Sequence, residues 1–154
     1  RVEKMLEDPL YWLMVFWRLI IDANFDKGPK AFFKRAPALV RPLIETLVRR
    51  RVRANLHGHG IGRHDDAEKA VLASRCIDAL SQVLGENRYL MGDAPCGADA
   101  TAFAFTAAAY ARVFDSPVRD RIAATPRLVA YHDRMMAEFF PGFASGGSST
   151  RTTG

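Results

Sequence analysis

Apolar residues recur along most of the chain every three or four positions, the spacing that gives a helix one oily stripe. Residues 99–114 depart from this. Apart from Asp99, Thr101, Thr106 and Arg112 every position is apolar, so a helix there has no face suited to water and should be a buried central helix. Ala100, Ala102, Ala104, Ala107, Ala108, Ala109 and Ala111 let neighbouring helices approach closely, while Phe103, Phe105, Tyr110 and Phe114 supply volume. A membrane span needs about 20 apolar residues in a row, and this run is shorter and broken by two threonines.

The ordinary stripes supply the elements around it. Residues 2–21 read as one helix with Leu6, Leu10, Leu13, Met14, Trp17, Ile20 and Ile21 inward. Tyr11, Trp12, Val15 and Phe16 widen that stripe beyond one core face, so a second face is covered either inside the bundle or by another domain or subunit. Residues 24–29 carry loop punctuation. A helix over about residues 37–55 should turn Leu39, Leu43, Leu47 and Val52 inward, starting nearer Arg41 because Pro42 suits only a first turn. Residues 65–84 form the clearest helix: Asp65 and Glu68 make a capping box, and Ala73, Cys76, Ile77, Leu80, Val83 and Leu84 form a stripe ending at Gly85. Pro117 and Pro126 open two further helices, 117–123 and 126–139, and Pro141-Gly142 ends the last. The sum is an all-α helical bundle of about six helices around the central one. Residues 1–141 make one domain, and the Gly/Ser/Thr-rich stretch 142–154 is expected to be a flexible tail.

Two breaks in the pattern carry local chemistry. His57-Gly58-His59-Gly60-Ile61-Gly62-Arg63-His64 alternates glycine with other residues, which a helix tolerates poorly, and predicts a loop with unusual backbone angles. It does not follow a strand, so it is no dinucleotide loop. Its histidines have no Cys or Glu at a familiar ligand spacing, so no metal is expected; instead the glycines allow close backbone approach and Arg63 anchors to a carboxylate or helix end. The second break is Gly92-Asp93-Ala94-Pro95, a turn leading into Cys96-Gly97-Ala98-Asp99, the four places of a capping box. Asp99 can turn back to the N–H of Cys96. Cys96 itself is either a small stand-in for a serine cap or, at a helix start, a reactive thiol.

Composition adds limits. The 154 residues bear a net charge of +5 with a pI near 9.6. Much of the excess lies at Arg49, Arg50, Arg51 and Arg53, either a solvated helix end matched to its dipole or a site for a phosphate, a carboxylate or an anionic surface. Without aromatic interleaving, specific nucleic-acid binding is not expected. Two cysteines cannot make a disulfide framework, which points to a reducing, cytoplasmic setting. The apolar run 10–21 contains Arg18 and is neither a signal peptide nor a membrane span. No paired carboxylates, Ser/His/Asp set or CxxC pair is present, so no catalytic residue is assigned. The chain enters a helical pattern directly after Arg1, so a preceding segment is expected.

The string from Tyr89 to Asp99, YLMGDAPCGAD, followed by an alanine- and phenylalanine-rich helix, resembles the entry to the central helix of the all-helical C-terminal domain of glutathione transferases. That family opens the box with Ser or Thr, where this chain has Cys96. Tyr11-Trp12, Leu56 to Arg63, Met91-Gly92, Asp99-Ala100-Thr101 and Phe105, in that order, resemble the failed axon connections proteins and their bacterial glutathione-transferase-like relatives, near the metaxins.

The resemblance covers about residues 6–140. It implies an upstream thioredoxin-like domain that holds glutathione as co-substrate and activates its thiol. The present segment would supply the acceptor pocket for a small electrophilic or hydrophobic substrate from Tyr11, Met14, Val15 and Arg18, with Arg18 facing the interdomain cleft. The activity implied is glutathione-dependent conjugation or reduction, with a homodimer among the implied assemblies. The other reading is a non-catalytic, metaxin-like scaffold that uses the same faces for partners.

Overall fold

The computed structural model describes residues 2–144 of the chain. The first helix is continuous but changes gauge: α1 (Val2–Met5) passes through a π-helical turn, Leu6–Leu10, into α2 (Tyr11–Leu19). Pro9 sits in the wide turn, where its missing N–H and ring are tolerated better than in a tight α-turn. Leu6, Leu10, Leu13, Met14, Phe16 and Trp17 are buried.

The expected loop at residues 24–29 is largely helical: α3 (Asp22–Lys27) precedes a 3-10 stretch, Pro29–Arg35. Asn24, which reads as a turn residue, is buried. Its amide donates to the carbonyls of Trp17 (3.1 Å) and Asp115 (2.6 Å) and accepts from the Asp115 N–H (3.0 Å), pinning α3 to a distant loop.

The second long helix, α4 (Arg41–His59), begins at Arg41 with Pro42 in its first turn. Three of the four residues of its expected inner stripe are on the wrong side: Leu39, Leu43 and Leu47 are 97%, 60% and 55% exposed, whereas Val52 packs against the core as expected and the one fully buried residue is Leu56. Arg49 decides the orientation. Its guanidinium donates to the carbonyls of Leu19 and Ile20 at the end of α2, reaches Asp22, and lies 4.9 Å from the Phe25 ring centre. Those charge-assisted bonds roll the leucines outward.

A 3-10 turn, Ile61–Arg63, leads to α5 (Asp66–Leu84), which opens with the complete Asp65/Glu68 capping box. Ala73, Cys76, Ile77, Leu80 and Leu84 are buried, whereas Val83 is 42% exposed and lies off the stripe. The central helix α6 (Gly97–Tyr110) leaves helical geometry at Ala111, before the expected end at Phe114. Phe114 instead packs near Gly28 and under Arg18. Ala102, Phe103, Thr106 and Ala109 are buried, but Ala100 and Ala104 are exposed, so this helix keeps one small-residue strip open.

Three helices close the bundle: α7 (Pro117–Ala123), α8 (Pro126–Phe139) and the single turn α9 (Pro141–Ala144). Residues 142–144, assigned to the tail from sequence, belong to α9; the rest of that tail lies outside the described residues. Helix α7 packs on α5 and α6, and α8 on α6 and α7, around Val118, Ile122, Leu128 and Tyr131. The described residues contain no regular strand, only an isolated bridge between Tyr89 and Gly92.

Candidate functional site

A buried polar network lies at the start of α6. Tyr89 and Gly92 close a tight turn through paired backbone bonds of 2.8 and 3.1 Å, with Gly92 at φ 121°. The turn presents the Leu90 N–H to Asp99, which is 1% exposed. One Asp99 oxygen accepts from Leu90 N–H (2.9 Å) and the Tyr131 hydroxyl (3.0 Å), and the other from the N–H (2.9 Å) and Sγ (3.2 Å) of Cys96. Turn, α6 and α8 are thereby tied at one carboxylate. Burial alone would push the Asp99 carboxyl up, but these four donors outweigh it and hold it below the usual carboxylate range. Burial and the adjacent Asp99 charge push the Tyr131 hydroxyl far above its usual value, so it remains a donor.

Beside this network an apolar groove of about 540 Å³ opens between α6 and α8, lined by Cys96, Ala100, Phe103, Ala104, Met135, Phe139 and Phe140. Phe103 and Phe140 stack at 5.3 Å. Cys96 edges the groove with its S–H given to Asp99, so it serves there as a hydrogen-bond donor. A second cleft of about 540 Å³ between α5 and the α7–α8 junction has a mixed polar and apolar lining and holds the Arg121–Asp78 ion pair.

The four residues assigned to an acceptor pocket lie along one side of α2 at i, i+3, i+4 and i+7. Tyr11 is 48% exposed and meets Trp12 edge-on, Val15 is half-buried and Met14 is buried. Arg18 is turned inward: its guanidinium donates to the Ala108 carbonyl near the end of α6 (2.5 Å) and lies 5.0 Å from the Phe114 ring centre. Burial lowers its pKa. Met14 and Arg18 share a crevice of about 10 Å³ that Tyr11 and Val15 do not line, room for no more than one water. The described residues therefore bring these four onto one helix side without enclosing a substrate-sized cavity.

The glycine- and histidine-rich stretch is not all loop. His57, Gly58 and His59 form the last turn of α4, Gly60 breaks it at φ 107°, and the following 3-10 turn buries Ile61. A Cβ on Gly62 would lie 2.7 Å from the His57 nitrogen, so the chain doubles back against its own helix end where only glycine fits. Arg63 fastens that end by donating to the His57 carbonyl (3.2 Å). The histidines diverge: His59 packs 5.1 Å from Trp12, His64 pairs with Glu68, and His57 borders a hollow with Phe16 and Ile20. Among the described residues no three His, Cys, Asp or Glu side chains gather to hold a metal ion, and no helix is long and apolar enough to cross a membrane.

Sequence reasoning missed the roles of Asn24, read as loop punctuation, and of Arg49, read as part of a solvated helix end or an anion site. Both act on backbone carbonyls far along the chain, and only the isolation of one polar residue between apolar neighbours hints at Asn24.

Comparison with known proteins bears on this arrangement. Residues 73–135, from α5 into α8, match the family model described as Glutathione S-transferase, C-terminal domain. The chain is 28% identical over 149 residues to Failed axon connections of Drosophila melanogaster, an alignment covering 89% of this chain and 36% of that protein. The chain thus spans about a third of that relative's length. No solved structure matches it.

Proposed function

We propose that this bundle, which is of the glutathione S-transferase C-terminal domain type, forms the acceptor-substrate half of a protein that conjugates or reduces small electrophilic or hydrophobic molecules with glutathione. The observation that carries the reading is the side of α2 bearing Tyr11 and Val15. It stays accessible although the opposite side of the same helix is fully core. A thioredoxin-like domain placed against it would complete the pocket, bind glutathione and activate its thiol; the sulfur would then attack the acceptor held over Tyr11. The same side is open to a second subunit in a homodimer. Two free cysteines, Cys76 and Cys96, support a reducing, cytoplasmic setting.

One observation favours the second reading, a metaxin-like scaffold: Arg18 is committed inside the bundle and leaves no cavity among the four residues. Glutathione titration and electrophile turnover, on the 154-residue chain and on the same chain joined to its upstream domain, separate the two. The joined protein should bind glutathione and turn over, with Tyr11→Ala lowering kcat/KM for the electrophile while glutathione affinity holds. Turnover by the 154-residue chain alone would contradict the division of labour. Failure of the joined protein to bind glutathione would establish the scaffold instead.

A further inference from the structure

The outward side of α4 inverts the usual arrangement of a surface helix. Its core side holds Val52 and Leu56, and directly opposite stand Leu43, Leu47, Arg50 and Ala54, all exposed, in line with helical spacing. Leu39, one turn earlier, is 97% exposed, and Arg51 and Arg53 flank the stripe on its two sides. Two leucines pointing straight away from the core, with arginines around them, need an apolar and anionic covering.

The charge is concentrated here. Residues 27–64 contain ten lysines and arginines and one acid, Glu45, whereas the whole chain has a net charge of only +5. Several of these cations are engaged within the fold: Lys27 with Asp115, Lys30 with Asp26, Arg49 with Asp22, and Arg41 and Arg63 with backbone carbonyls. Lys34, Arg35, Arg50, Arg51 and Arg53 are exposed and have no ion pair among the described residues.

We infer that this face of α4 docks on an anionic lipid bilayer, with Leu39, Leu43 and Leu47 entering the headgroup–acyl boundary and Arg50, Arg51 and Arg53 meeting lipid phosphates. The inference is independent of any glutathione chemistry. Three observations select the bilayer. The principal cavities include none lined by Leu39, Leu43 or Leu47, so a partner helix finds no groove, whereas a membrane needs none. A symmetric contact between two copies would bring together two faces that both carry Arg50, Arg51 and Arg53, like charge against like charge. A nucleic acid would use the arginines but leave the leucines in water.

The test is flotation of the 154-residue chain with vesicles of phosphatidylcholine alone, or with roughly a third phosphatidylserine, at physiological ionic strength. The chain should float only with the anionic vesicles, and added salt should release it. Arg50→Ser with Arg51→Ser should weaken binding about 25-fold, roughly fivefold for each arginine. Leu43→Ser with Leu47→Ser should weaken it at least about tenfold. These positions are exposed, so helical circular dichroism should not change. Equal binding to both vesicle types, no binding, or full binding by the leucine variant would overturn the proposal. So would a dimer in light scattering that the leucine variant dissolves while vesicles float alone, since the occupant would then be a second copy.

Discussion

Removing the carboxylate at the start of α6 should destabilise the fold by far more than the loss of an ordinary helix cap. Asp99→Ala leaves the buried Leu90 N–H without its acceptor, which costs about 1–3 kcal/mol. It also frees the half-buried Cys96 N–H, a cap worth about 1 kcal/mol. The Tyr131 hydroxyl loses less, because the Asp99 carbonyl remains 3.2 Å away. The total is about 3 kcal/mol, read as a lower urea midpoint by circular dichroism with an unchanged slope. Acid supplies a second reading. The folded-state pKa of Asp99 is depressed, so its contribution is complete above the unfolded value near 3.9 and fades as pH falls through the folded one. The gap between wild type and Asp99→Ala should therefore narrow below about pH 4. A loss under about 1 kcal/mol, or a gap constant down to about pH 3, would refute the four-donor account.

Other substitutions probe separate links. Cys96→Ser should be neutral or raise Tm, because a hydroxyl donates to Asp99 more strongly than a thiol and caps better. Gly62→Ala should destabilise by about 1–3 kcal/mol, its Cβ meeting backbone at 2.7 Å, whereas Gly58→Ala, in the last turn of α4 with nothing within 4 Å, should stabilise by about 0.5–1 kcal/mol. Paired denaturation curves would show the opposite signs. Asn24→Ala should cost about 2–3 kcal/mol and speed hydrogen exchange first at Asp115 and in α3, where its three bonds end.

What could be read from sequence was what neighbouring residues decide. The Asp65/Glu68 box fixed the start of α5, the Gly92–Asp99 string announced α6, and Pro117 and Pro126 opened α7 and α8, since caps and prolines act within one turn. The orientation of α4 escaped because Leu39, Leu43 and Leu47 keep perfect helical period, while the contest was settled by Arg49 reaching carbonyls 29 and 30 residues back. The end of α6 escaped for a related reason: Phe114 is as apolar as the helix before it, and its place depends on Arg18. At the candidate site, the spacing of Tyr11, Met14, Val15 and Arg18 is a property of one helix and was legible. Whether they enclose a cavity depends on α6 and on Phe114, which no local pattern encodes.

The Asn24 pin also has a consequence in time. Its partner lies 91 residues further along the chain, and the partner of Arg18 lies 90 further. A ribosome adding about 5–20 residues per second takes roughly 5–20 s to supply them. Through that interval α2 and α3 exist without the loop that fixes them, and Leu13, Phe16 and Trp17 wait for helices not yet made. Helices α2 and α3 are thus made early within this bundle yet are among its last parts to be secured, and on a nascent chain their apolar side would stay open to chaperones for as long as Asp115 remains untranslated.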